Sequence, residues 1–129
     1  MTTSEQRPTE LRILVVDDHE DTVVALALLL RKDGHDVATA ASAHDALKEA
    51  SSGRPVDLLV SDIGLPDLDG CELLRRLRNL YQRDIPAVAL TGHGEDHHVE
   101  QCRRAGYSEF LFKPVDFGTL RDAVRTVVS

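Results

Sequence analysis

Short apolar runs alternate along the chain with longer stretches of helical spacing. Leu11 to Val16 is a β-branched, largely apolar run that stops abruptly at Asp17-Asp18, as a buried strand ending on carboxylates does. Acidic residues crowd the start of a helix from about Glu20 to Lys32, where the positive end of its dipole favours them, and Gly34 provides the stop. His35 to Ala40 reads as a weaker, outer strand, and Ser42 caps a short helix through Ala50. Leu58-Leu59-Val60 is unalternating and bounded by polar and turn residues, which suits a strand covered on both faces, although periodicity alone equally allows a piece of buried helix. The residues after Asp62 favour the strand. Pro66 pushes Leu65 towards extended geometry, and Asp69-Gly70 supplies a cap before the spacing Leu73, Leu74, Leu77, Leu80 in a helix from about Cys71.

Pro86 to Leu90 forms a fourth strand, ending on Thr91-Gly92-His93-Gly94. The next helix, about Glu95 to Ala105, has only Val99, Cys102 and Ala105 as an apolar stripe, which predicts a loosely held element. Glu109 to Phe112 is a fifth strand ending on Lys113-Pro114, and Asp116 caps a last helix with Phe117, Leu120, Val124, Val127 and Val128 inward. Strands alternating with helices through short loops imply an α/β domain with one parallel sheet covered on both faces. In such sheets ligands bind outside the carboxyl ends of the strands, and the polar residues at those ends are Asp17, Asp18, Asp62, Thr91 and Lys113.

Composition narrows the reading. With 129 residues and 42% hydrophobic content the chain supports one domain, 11–129, after a polar tail, 1–10. A net charge of −7 disfavours nucleic acid and anionic membrane as partners, and the apolar run Val23 to Leu30 is far below the roughly 20 residues of a membrane span. Cys71 and Cys102 fall inside predicted helices without metal-type spacing or an adjacent base, so they read as packing residues in a reducing cytoplasm.

Three carboxylates held together repel one another unless some are protonated or a cation sits among them. All-oxygen ligands favour a hard ion, Mg2+ before Ca2+. Lys113 adds an ammonium and Thr91 a hydroxyl, so the set suits a transferred phosphoryl group with Asp62 as nucleophile. His93 and His97, four apart and with His98 beside them, raise a transition-metal alternative that Gly94 weakens by making a helix there doubtful.

In order, Asp17-Asp18, Asp62 with Leu65-Pro66 and Asp69-Gly70, Thr91, and Lys113-Pro114 resemble the pattern of response-regulator receiver domains of two-component signalling. The resemblance implies a flavodoxin-like three-layer sandwich, with five parallel strands in the order 2-1-3-4-5 and five helices. It implies that Asp62 accepts phosphate from a phosphohistidine of a sensor histidine kinase or phosphotransfer protein, without being a turnover enzyme. It also implies that Asp18, Asp62 and the Gly64 backbone carbonyl ligate Mg2+, that Asp17 acts largely through water, that Thr91 and Phe110 switch, and that Lys113-Pro114 is cis. A downstream protein would be met on the surface of residues 95–128 by a monomer or weak dimer. The wording around Asp62 and Thr91 leans to receivers attached to hybrid histidine kinases. Gly64, which offers no side chain over the phosphate, His93, Phe110 in place of a tyrosine and Tyr107 in place of a small residue depart from commoner receivers, leaving phosphate lifetime and switching detail open. Two alternatives stand beside this reading: a phosphate-independent interaction module, and an aspartyl phosphatase of the haloacid-dehalogenase kind, which Gly64 argues against because an acid belongs there.

Overall fold

The computed structural model describes residues 10–92 and 96–128, with the side chains of 96–98 excluded. The expected tail, save Glu10, and His93 and Gly94 lie outside these residues, as do the side chains of His97 and His98. Five strands, β1 (Arg12–Val16), β2 (Asp36–Ala40), β3 (Leu58–Asp62), β4 (Ala87–Thr91) and β5 (Glu109–Phe112), alternate with α1 (Glu20–Lys32), α2 (Ala43–Ser51), α3 (Gly70–Tyr81), α4 (Asp96–Ala105) and α5 (Phe117–Val128). All pairings are parallel and the strand order is β2-β1-β3-β4-β5, the flavodoxin-like arrangement.

Strand side chains alternate between faces, and each face has its own core. Ile13, Val15, Leu58, Val60, Val88 and Leu90 pack beneath α1 and α5 through Leu26, Leu30, Leu120 and Val124. Leu14, Val16, Leu59, Ala87 and Ala89 pack beneath α2, α3 and α4 through Ala46, Leu73, Leu77 and Cys102. Such double coverage explains why β3 reads as an unbroken apolar run, and it settles the strand-or-helix ambiguity there.

Local chemistry sets the element ends. Gly34, at φ 97°, closes α1: its N–H donates to the Arg31 carbonyl at 3.0 Å and the next N–H, of His35, to the Leu30 carbonyl at 3.2 Å. Ser42 accepts from the Asp45 N–H to start α2, and Asp69 accepts from the Glu72 N–H to start α3. Arg121 of α5 forks onto Asp33 at the end of α1, at 2.8 and 3.1 Å.

Three inward assignments are corrected. Leu80 is exposed because Tyr81, four residues after Leu77, takes the inward place, receiving the Val56 N–H and donating to the Ala50 carbonyl. Phe117 and Val128, at the two ends of α5, are also exposed, since the face towards the sheet is filled by Leu120, Ala123 and Val124.

The reading of the cysteines changes most. Cys71 of α3 and Cys102 of α4 are buried and form a disulfide, with Cα atoms 4.9 Å apart. They are not separate packing residues, because α3 and α4 lie side by side on one sheet face and bring together positions 31 apart in sequence. Helix α4 has its expected thin apolar stripe and two ties to α3 besides, the disulfide and the bond from Arg78 to the Ala105 carbonyl.

Candidate functional site

The parallel register aligns the strand ends on one edge, with Val16 beside Ser61, Asp62 beside Leu90 and Thr91 beside Phe112. Since β1 pairs with both β2 and β3, the order reverses there, the place in such a sheet where ligands bind. Asp17, Asp62 and Thr91 are buried there, whereas Asp18 is exposed.

Asp62, 3% exposed, is held at both oxygens: Oδ1 accepts the Gly64 N–H at 3.0 Å and Oδ2 the Lys113 ammonium at 3.1 Å. Lys113 Nζ also lies 2.9 Å from Asp17 Oδ2, an ion pair whose angles fall short of a hydrogen bond. Among the described residues this oxygen is the buried side-chain atom left without a hydrogen bond. Asp17 Oδ1 accepts the His19 N–H at 2.9 Å, and His19 Nδ1 lies 2.9 Å from the same oxygen and 3.3 Å from Asp18 Oδ1.

Burial pushes the Asp62 carboxyl up, more than the Gly64 N–H and Lys113 pull it down. Burial acts on Asp17 in the same sense, but there Lys113 and the two His19 contacts together prevail and hold it below the usual range. Lys113 is desolvated too, yet its two carboxylate partners raise it, so it stays charged. His19 is raised through its bond to Asp17.

Asp17, Asp18, His19 and Asp62 each bring a ligand atom within 4.8 Å of the others. The acidic oxygens suit a hard divalent cation, and the buried Asp17 oxygen without a hydrogen bond fits one nearby. Lys113-Pro114 is cis, and the Lys113 N–H donates to the Thr91 carbonyl at 2.9 Å. The Thr91 hydroxyl leans on the Gly92 carbonyl at 3.5 Å. Phe110 stands apart from the carboxylates, half-buried, with its ring 6.4 Å from that of Tyr107 and the Arg103 guanidinium 5.1 Å above it.

The model of the response regulator receiver domain family matches residues 13–125. The chain belongs to that family. This receiver is 38% identical over 116 residues to the transcriptional regulatory protein AfsQ1 of Streptomyces coelicolor, covering 90% of this chain and 50% of that one. It is 31% identical over 114 residues to sporulation initiation phosphotransferase F of Bacillus subtilis, covering 88% and 90%. The response regulator receiver domain protein from Clostridium thermocellum superposes with a TM-score of 0.83 at 28% identity, over 92% of this chain and 94% of that one. Membership makes the chain a receiver and not a turnover enzyme. No helix among the described residues is long and apolar enough to cross a membrane.

Three residues of the receiver site carry no role predicted from sequence. His19 adjoins the acidic pair, and that adjacency was the available signal. Asp67 accepts the Ala43 and His44 N–H groups at 3.0 and 2.9 Å, tying the acceptor loop to the start of α2. Tyr107 is buried behind that loop and donates to the Gly70 carbonyl at 2.8 Å, and no local pattern announces either contact. Gly70 itself is sterically required: a Cβ there would stand 2.8 Å from the Asp62 carbonyl oxygen and 2.8 Å from Ile63 Cα. Gly70→Ala is therefore expected to cost about 1–3 kcal/mol in denaturant unfolding through the forced backbone shift. Unchanged stability would show that the loop yields freely.

Proposed function

We propose that this receiver accepts a phosphoryl group on Asp62 from a phosphohistidine of a sensor histidine kinase or a histidine phosphotransfer protein. The observation that carries the reading is the Asp62 carboxylate at the β3 end, buried, oriented at both oxygens and beside two further acids. A carboxylate oxygen of Asp62 forms the new bond to phosphorus as the phosphorus–nitrogen bond breaks, and the departing imidazole takes up a proton. Lys113 offers its charge to the incoming oxygens, and Thr91 supplies a hydroxyl from the end of β4. Asp18, Asp62 and the Gly64 carbonyl would hold Mg2+, with Asp17 acting through water. Bound there, the ion would neutralise charge on the phosphoryl oxygens.

Readout is assigned to the surface of residues 95–128, where Phe112 and Phe117 are exposed, with Thr91 and Phe110 as the switching pair. The partner is a downstream protein, and the setting is the cytoplasm, where kinases draw on ATP. The phosphatase alternative finds no support at Gly64, which gives Asp62 an N–H where that chemistry calls for an acid. Incubation with a small acyl-phosphate donor tests the proposal. Mass spectrometry should find an acid-stable, base-labile phosphoryl adduct on Asp62 in the presence of Mg2+ and little after chelation. Equal labelling with and without chelator would overturn the metal assignment, and no labelling by this donor or a phosphohistidine protein would favour the phosphate-independent module.

A further inference from the structure

We propose that Cys71 and Cys102 form a reversible redox-modification site, a disulfide that a dithiol or glutathione-type reductant opens and a low-molecular-weight disulfide closes, and that its oxidised form locks α4 onto the first turn of α3, where the acceptor loop ends. The placement of the bond carries the argument. Cys71 follows Gly70, whose N–H donates to the Ile63 carbonyl at 3.0 Å and whose Cα faces the Asp62 backbone without room for a Cβ. Cys102 lies in the last half of α4, facing the sheet. The bond thus ties α4 to the first turn of α3, whose Gly70 packs against the backbone of Asp62 and Ile63.

Two non-covalent fastenings remain when the bond is open: the Tyr107 hydroxyl on the Gly70 carbonyl, and Arg78 on the Ala105 carbonyl. The reduced domain therefore keeps its fold, and only the lateral freedom of α4 changes. Both sulfurs lie in buried residues, so exchange requires α4 to lift from α3, and the redox state and position of α4 become linked. Closure proceeds by attack of one cysteine thiolate on the small disulfide, releasing one thiol. The second cysteine then displaces the other, so the protein loses two electrons and two protons and the oxidant becomes two thiols. In a cytoplasmic chain such a bond is more often regulatory than architectural. The further consequence, that oxidation blunts the phosphate response at the α4 surface, rests on the phosphoacceptor reading.

The test uses the full chain without any phosphodonor, so a failure of Asp62 chemistry leaves its outcomes as they are. The protein is equilibrated in glutathione buffers from fully reduced to fully oxidised, its free thiols are alkylated and counted by mass, and amide hydrogen exchange is followed across residues 99–105. Expected is the loss of both thiols in one step, with exchange at 99–105 about tenfold faster in the reduced form and no change at Leu14 or Val60. Cys71→Ser and Cys102→Ala should each exchange like the reduced protein in every buffer, and reduction of the unaltered chain provides the same comparison if either variant fails to fold. A pair that stays reduced throughout, a bond that excess glutathione leaves closed, or equal exchange in both forms would overturn the proposal.

Discussion

Asp62→Asn is expected to lose all acyl-phosphate labelling while folding at least as well as the unaltered domain. The amide keeps the shape of the carboxylate, and its single oxygen can still accept from the Gly64 N–H and hold the loop, whereas its NH2 group cannot accept from Lys113, so that one bond is lost. What disappears is the anionic nucleophile, together with its repulsion of Asp17, which lies across the shared Lys113 ammonium. Burial already makes the Asp62 charge costly, so removing it offsets the weakened ion pair. Labelling and denaturant unfolding measured side by side check both halves. Residual labelling at the rate of the unaltered chain would move the acceptor elsewhere.

Lys113→Met should destabilise the metal-free domain by about 3 kcal/mol at neutral pH, the lower end of the cost of breaking a buried ion pair, because Lys113 retains some exposure. Methionine keeps the length and packing of the stem, whereas Asp17 and Asp62 lose their shared cation. With Asp62 raised further and Asp17 no longer held down by Lys113, the folded variant binds protons more readily than the unaltered folded domain does. The penalty is therefore largest above their folded range and shrinks as pH falls towards about 4. Mg2+ should restore more stability to this variant than to the unaltered domain, since it supplies the missing positive charge. Equal unfolding midpoints for the two chains in chelator, or a penalty that grows on acidification, would refute this account of the site.

Much of the site is local in sequence, and that part was legible. The abrupt stops of apolar runs at Asp17 and Asp62, the Asp69 cap and the Gly34 stop depend on neighbours within a few residues, and each has the structural role expected of it. Edge placement of β2 likewise followed from its weaker apolar content. Features that depend on two helices meeting were not legible. Nothing near Cys71 announces Cys102, and Leu80 and Tyr81 both satisfy a helical stripe until the neighbouring Ala50 and Val56 backbone groups select the tyrosine. Phe117 and Val128 fit the period of α5 yet lie at its ends, where the sheet no longer faces them. Tyr107 looked like a departure from a small-residue pattern, and in three dimensions it braces the Gly70 carbonyl.

Asp67 has a use of its own. Because its two oxygens receive the Ala43 and His44 amides, those two amide protons are native reporters of the acceptor loop, placed in a different helix and needing no introduced label. Any ligand that shifts the loop after Asp62 will alter their resonance positions together, whereas one that merely neutralises charge at the strand ends will leave the pair undisturbed.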